Sequence, residues 1–340
     1  VWFASLRTTE GDINDAIDLL TKALTIDPLS RIPYVNLPGS YAARGQNAET
    51  TAMLRQAVGL FPDWSTPYGY LSNHLLKLGR LDEAVAWGLE GMRLSEDPMS
   101  GGQLIGIHLE FGHDDAAMTF MENFPQDHPL FPVGKSYWHY VDGDYAATIS
   151  ELEANVDLVN LTRDFAYPLL VGAAILGGDY DRAYDYIARQ DPTLTDDAEI
   201  TVDHKNVHYA VMLAFVEQKR NRSRQADVLL RKAQPVVESV PRMGMAGHGI
   251  RDVQILTLQG RLNAAIETLL AAVDEGFVSS QGFDAWTFAQ DPIIEPLRKD
   301  PRFPAIEQRI QDQIEEMRRN VEEARDSGDW SELLAQSETV

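Results

Sequence analysis

Apolar residues recur at helical rather than strand spacing along most of this chain, and the stretch GDINDAIDLLTKALTIDP, residues 11–28, shows the pattern with its punctuation. Gly11, Ala16, Leu20, Ala23 and Pro28 mark it out by size and backbone chemistry. The stretch has no Gly-rich turn, no Ser/His pair and no Cys, so it reads as architecture rather than as a catalytic loop.

The same marks return about 34 residues later as Gly45, Thr50, Leu54, Ala57 and Pro62, and again as Gly79, Ala84, Gly88, Gly91 and a displaced Pro98. Looser copies follow: Gly112, Ala117, Met121, Phe124 and Pro129; Gly143, Thr148 and Leu152; Gly178, Ala183 and Ile187; Ala226, Leu230 and Ala233; Gly260, Ala265, Leu269 and Ala272. This predicts an all-α solenoid of about eight stacked helix pairs. In each pair the Gly belongs in the turn, where a positive φ costs it nothing. Small residues let the second helix approach the first and then the next pair. A Leu or Ile between them fills the remaining gap, and Pro ends the hydrogen-bond ladder.

Within YVNLPGSYAARG, Tyr34, Leu37, Tyr41 and Gly45 resemble the first helix of the tetratricopeptide repeat. The resemblance covers about residues 1–275 and is strongest in the first three units. Departures are expected to distort the array. Pro38 stands at a small-residue position inside a helix and should kink it or break its first turns. Asn221 replaces a turn Gly, with the preceding helix lengthened, and the segments Pro192–Asp203 and Pro241–Gly249 interrupt the period, so stacking is expected to be irregular after about residue 190.

From Gly276 the pattern changes, dividing the chain into the array, 1–275, and a capping segment, 276–340. Asp291-Pro292 and Asp300-Pro301 read as helix-starting turns around a short helix. Ile306, Ile310, Ile314, Met317 and Val321 then form a narrow apolar stripe on a long charged helix, suited to covering the exposed end of the last repeat. Trp286, Asp291, Pro292, Leu297, Arg298, Asp300, Pro301, Arg302 and Phe303 together resemble the end of bacterial multidomain regulators, in which a tetratricopeptide array follows a winged-helix domain of the CadC type or a class III nucleotide cyclase. That resemblance implies a sensory or interaction module and, for a membrane-spanning parent, a periplasmic location. Because VWFASLRTTEG begins partway into a helical pattern, further chain is expected upstream.

Composition narrows the function classes. The formal charge is -23 over 340 residues and the pI about 4.6, a field that repels phosphate backbones and argues against nucleic-acid binding. No Cys is present, which removes disulfides, thiolate zinc sites and Cys nucleophiles. No apolar run is long enough to span a membrane, and neither a span nor a secretory leader is expected within these residues.

The resemblance puts a binding groove along the first helices of the pairs. The carboxylate clamp known in that family needs Lys, Asn and Arg donors, and the matching positions here are Val35, Gly39, Tyr70, Met99 and Gln103, so the clamp is absent. Groove positions Tyr70, Asn73, Lys77, Val133, Tyr137, His208, Val211, Phe215, Ile250 and Gln254 form a mixed, largely apolar and aromatic surface, suited to a protein or peptide with apolar anchors. The bland alternative is that each only packs against neighbouring helices.

Other chemistry is thin. His204 and His208 stand four apart and on a helix would face one ion, but Lys205 occupies the place of a metallopeptidase Glu, and two ligands leave a zinc site incomplete. Asp114 and Asp115, after His113, read as helix-start residues. Lys219, Arg220, Arg222 and Arg224 make a basic turn, and the glycines of GMAGHG follow no predicted strand. The reading is a non-catalytic protein-binding scaffold without metal or cofactor. Its rivals are a metal-dependent binder or enzyme built on His204 and His208, and a self-association module.

Overall fold

The computed structural model describes residues 12–95, 102–112, 117, 131–155, 163–195, 200–239, 242–243, 246–278 and 286–336. Its helices are α1 (Ile13–Ile26), α2 (Arg31–Ala43), α3 (Asn47–Leu60), α4 (Ser65–Lys77), α5 (Leu81–Leu94), α6 (Gly102–Glu110), α7 (Phe131–Val141) and α8 (Tyr145–Ala154). They continue as α9 (Arg163–Leu176), α10 (Tyr180–Gln190), α11 (Val207–Lys219), α12 (Ser223–Ser239), α13 (Arg251–Leu258), α14 (Leu262–Asp274), α15 (Phe303–Ser327) and α16 (Ser331–Gln336). Among the described residues, the sole strands are the two-residue β1 (Arg242–Met243) and β2 (Ala246–Gly247), and no helix is long and apolar enough to cross a membrane.

The fold is an all-α array of helix pairs in which successive helices pack on one another, α1 on α2, α3 on α4, α7 on α8, α8 on α9 and so on to α14. The residue sizes read from the sequence explain why. Ala16, Ala57, Ala84, Ala183, Ala226, Ala233, Ala265 and Ala272 are fully buried where helices approach, and Leu20, Leu54, Leu152, Ile187, Leu230 and Leu269 fill the space between. Where Thr replaces the Ala, its hydroxyl is satisfied: Thr50 donates to the carbonyls of Gln46 and Pro38, and Thr148 to those of Asp144 and Ser136. Where Gly88 replaces the Leu, the next unit fills the gap, since a Cβ there would lie 2.7 Å from Leu104 Cδ2.

The turns hold to one conformation. Gly45, Gly79, Gly112, Gly143, Gly178 and Gly260 have φ between 69° and 79°, and Asn221 takes the same left-handed role at 61°. The helix before Asn221 is therefore not lengthened: α11 has 13 residues, like α2 and α4. The turn between units carries a second latch. Tyr34 Oη donates to the Pro28 carbonyl at 3.0 Å and Tyr68 Oη to that of Pro62 at 3.1 Å.

Two expected distortions are absent. Helix α2 runs unbroken through Pro38, whose carbonyl is taken up by Thr50. After residue 190 the stack continues, with α10 on α11, α11 on α12 and α13 against both α11 and α12. The extra residues are taken up outside the pairs, in a 3-10 turn at Pro192–Leu194 and in the small β1–β2 ladder. The repeat marks Pro98, Met121, Phe124 and Pro129, and also His113, Asp114 and Asp115, lie outside the described residues.

The C-terminal segment does more than cap. Phe303, Ile306 and Ile310 at the start of α15 pack with α14 residues such as Ile266 and Leu269, as a cap would. The second half of α15 reaches back to α5: the Leu81 N–H donates to Met317 Sδ at 3.3 Å, Asn320 donates to Asp82 at 2.7 Å, and Val321 joins the core around Leu81 and Val85. Helix α16 extends this contact, with Leu333 against Ala86 and Arg55 donating to the Leu334 carbonyl at 2.6 Å. The Gly276 carbonyl and Val278 meet Gly79 in the third pair. The array thus curves until its end touches its early units, and distant units meet as well as successive ones.

This contact separates two otherwise equivalent glycines. Gly143→Ala, with φ +76° and open space around it, is expected to cost about 1 kcal/mol, the strain of a left-handed Ala. A Cβ at Gly79 would also run into the Gly276 carbonyl, so Gly79→Ala should cost about 2 kcal/mol more. Urea unfolding of both variants checks the order; equal losses would mean that the closure contributes nothing.

Candidate functional site

Two clefts lie between the first helices of the pairs and the returning C-terminal segment. One, of about 530 Å³, is walled by Phe111 after α6, Tyr137 and Tyr140 of α7, Leu169 of α9, Trp286 and Phe288 of the tail, and the face of α15 that carries Ile310 and Ile314. The other, of about 590 Å³, lies between Tyr180, Phe215, Gln218 and Thr257 and the tail from Ala289 to Pro296. Residues 289–290 line both, so the tail divides what would otherwise be one groove.

A buried polar chain anchors that tail. Arg251 at the start of α13 donates to Gln254 Oε1 at 2.9 Å, and Gln254 Nε2 donates to Asp291 Oδ2 at 2.7 Å. The other Asp291 oxygen accepts the Ile293 N–H at 2.8 Å, a tight turn of the kind Asp favours before Pro. Burial pushes the Asp291 carboxyl up, while its hydrogen bonds and the Arg251 charge oppose that shift. Burial lowers Arg251 to about 10. The rest of the tail motif continues the clasp. Trp286 and Leu297 are buried, Arg298 donates to the Phe288 and Ala289 carbonyls, and Phe303 stacks on Phe288 with centroids 5.8 Å apart. Asp300 accepts the Arg302 N–H at 2.9 Å and holds its guanidinium, opening α15.

The groove residues read from the sequence separate into two groups. Val211, Phe215, Ile250 and Gln254 are buried, under the tail or in the array core, and Gln254 spends its amide on Asp291. His208 is partly buried, packed against Tyr209 and pushed down to about 3 by burial and by Arg251. Val211, Phe215, Ile250 and Gln254 are therefore engaged within the chain. Tyr137 faces the first cleft and Phe215 borders the second. On α4, Tyr70 is 49% exposed, with Asn73 and Lys77 partly buried on the same helix and Lys77 lowered by desolvation. Val133 is buried. Of the clamp positions, Val35, Gly39 and Tyr70 are described; Met99 and the side chain of Gln103 lie outside the described residues.

The expected His pair does not share a helix. Helix α11 begins at Val207, with His204 in the exposed turn before it. Among the described residues no group of three or more His, Asp or Glu side chains is arranged to hold a metal ion. The basic turn is largely committed: Arg220 pairs with Asp181 at 2.8 Å and lies over Tyr184, Arg222 is 3.8 Å from Glu217, and Lys219 sits over Phe215. Sequence reasoning missed Tyr140, Leu169, Trp286 and the inner face of α15 as cleft walls. The signal available was a Trp and an Asp in a tail outside the repeat, which have to be buried against something.

No family model matches the chain. A curated "Protein STIP1 homolog" from Dictyostelium discoideum is 34% identical over 83 residues, 24% of this chain and 15% of that protein. A "Hsp70-Hsp90 organising protein" from Plasmodium falciparum is 29% identical over 93 residues, 27% of this chain and 36% of that protein. The match thus spans only a minor part of the length of either relative. The crystal structure of the P58(IPK) TPR domain aligns over 99% of this chain and 98% of its own at 15% identity, with a TM-score of 0.27. In this array of helix pairs the clefts lie along the first helices, and the chain's own tail runs between them.

Removing the Asp291 carboxylate leaves Arg251 and Gln254 buried without it, so Asp291→Ala is expected to cost about 3 kcal/mol. Hydrogen exchange should quicken across residues 286–336 and stay unchanged in α1 and α2. His208 gives a pH dependence. Its folded value of about 3 lies below the ordinary 6.5, so the fold is favoured fully above 6.5 and that contribution is lost as pH falls toward 3. Unfolding free energies from urea titrations at pH 7 and pH 5 should differ by up to about 2 kcal/mol more in the parent than in His208→Gln.

Proposed function

We propose that this chain is a non-catalytic protein-binding scaffold whose docking surface lies on its first three helix pairs. The observation that carries this is where large apolar side chains stay exposed. Ile26 at 76%, Leu29 at 66%, Ile32 at 48%, Leu60 at 42% and Tyr70 at 49% all lie before α5, whereas among the described residues only Leu262 does so later. Exposed apolar side chains gathered in one region mark interaction sites, and the tail packs along the later first helices. The names of the two curated relatives, one an organising protein for Hsp70 and Hsp90, support protein binding as the class of work. With the clamp positions filled by Val35, Gly39 and Tyr70, the partner is recognised through apolar anchors and not through a terminal carboxylate.

The tail motif from Trp286 to Phe303 supports a narrower reading, in which the array is the sensory or interaction module of a bacterial regulator and works on the periplasmic side of the membrane. Sequencing the gene upstream of Val1 tests it: a winged helix or cyclase core followed by a membrane span supports it, and a eukaryotic co-chaperone domain removes it.

Photo-cross-linkers placed at Ile32 or Tyr70 in the native host are expected to trap one specific protein, and one placed at Arg319 on α15 to trap none. Ile32→Asp with Tyr70→Asp should weaken the interaction at least about tenfold without changing helix content. Cross-linking to copies of the same chain, with a dimer in light scattering that the double variant abolishes, would assign the surface to self-association instead. Equal trapping at all three positions would remove the proposal.

A further inference from the structure

We propose that the cleft between α7, α9 and α15 is a binding site for a small aromatic molecule without negative charge. This goes beyond protein binding by the early units and stands whether or not those units take a partner.

The size is right: about 530 Å³ accommodates a ligand of two or three fused or linked rings with room for water. The walls are right as well. Phe111, Tyr137, Tyr140, Trp286 and Phe288 line it, and Ile310 and Ile314 line its α15 side. These side chains come from four separate elements, so the shape exists only while the tail is docked, and the clasp through Asp291 and Arg298 holds it in place. A surface of this composition gains from excluding water around a flat apolar ligand.

Charge decides the class further. The cleft borders include Glu110, Glu307, Glu315 and Arg318; Arg318 is held by Glu315 at 2.5 Å and Glu322 at 2.8 Å, and Glu307 is 3.3 Å from Arg298. Among the described residues, Arg318 is the one cation lining the cleft and it is already paired, in a chain of formal charge -23. Tyr140 is 3% exposed, its hydroxyl has no hydrogen-bond partner, and burial raises it well above the ordinary phenol value.

The test uses two dyes on one skeleton, neutral N-phenyl-1-naphthylamine and its sulfonated relative 8-anilinonaphthalene-1-sulfonate, titrated into the full chain. The neutral dye should bind saturably, one per chain and at least tenfold tighter than the sulfonate. It should also quench Trp286 emission, a signal that Trp286→Phe diminishes. Gln311→Trp and Ala289→Trp each put bulk into the cleft from an exposed position, and each should weaken the neutral dye at least tenfold while circular dichroism and the thermal midpoint hold. Two variants guard against one that fails to fold. Equal or tighter binding of the sulfonate, or unchanged neutral-dye binding in both folded Trp variants, overturns the proposal.

Discussion

A helix of about 13 residues with one apolar stripe cannot bury that stripe against a single partner of the same length, and this constraint generates the whole molecule. Each second helix is wedged between its own first helix and the next, which is why Ala recurs at the approaches and Leu or Ile in the gap. The requirement passes from unit to unit and cannot be met at an end. At the C-terminus it is met by α15, whose stripe covers α14 with Phe303, Ile306 and Ile310 and then, because the array has curved round, finds a second apolar surface on α5. Closure is thus the end-capping problem solved with the surface that curvature brings near.

The sequence made the local part of this legible. Turn glycines, buried alanines and the 34-residue spacing are interactions between neighbours, and each leaves a mark on the residue that makes it. Asn221 shows how far the logic carries, since it replaces Gly yet keeps the left-handed turn that a short polar side chain tolerates. Pro38 shows its limit. The local rule expects a break, but the packing of α2 on α3 holds the helix and Thr50 takes up the Pro38 carbonyl. The return of α15 to α5 had no sequence mark, because Met317, Asn320 and Val321 look like any stripe on an amphipathic helix and their partners lie more than 230 residues away.

The same distance explains the groove. Reading first-helix positions one unit at a time selects residues that face inward, and Val211, Phe215, Ile250 and Gln254 do so. What periodicity cannot say is whether the inside is empty. The occupant is outside the repeat, and it is recognised by chemistry that repeat positions do not carry: a buried carboxylate at Asp291 answering Arg251 through Gln254, and Phe303 stacked on Phe288. Burying such groups is costly unless every partner is present, so the chain Arg251–Gln254–Asp291 makes the docked position of the tail specific as well as stable.

The tail's occupancy also redistributes charge. Several arginines that a sequence count would assign to the surface are used internally: Arg80 grips Glu83, Arg242 reaches Asp252 and Glu275, Arg251 lies in the core, Arg298 holds the tail carbonyls and Arg318 bridges two glutamates. Since each neutralises a neighbour already present, the acidic excess is carried by the remaining carboxylates on the outside. Such a surface disfavours anions everywhere, and it makes apolar contact rather than charge the feature that separates one face from another. On that basis the exposed Ile26, Leu29, Ile32, Leu60 and Tyr70 in the early units are the face proposed to select a partner, and the cleft under α15 the place proposed to select a small uncharged one.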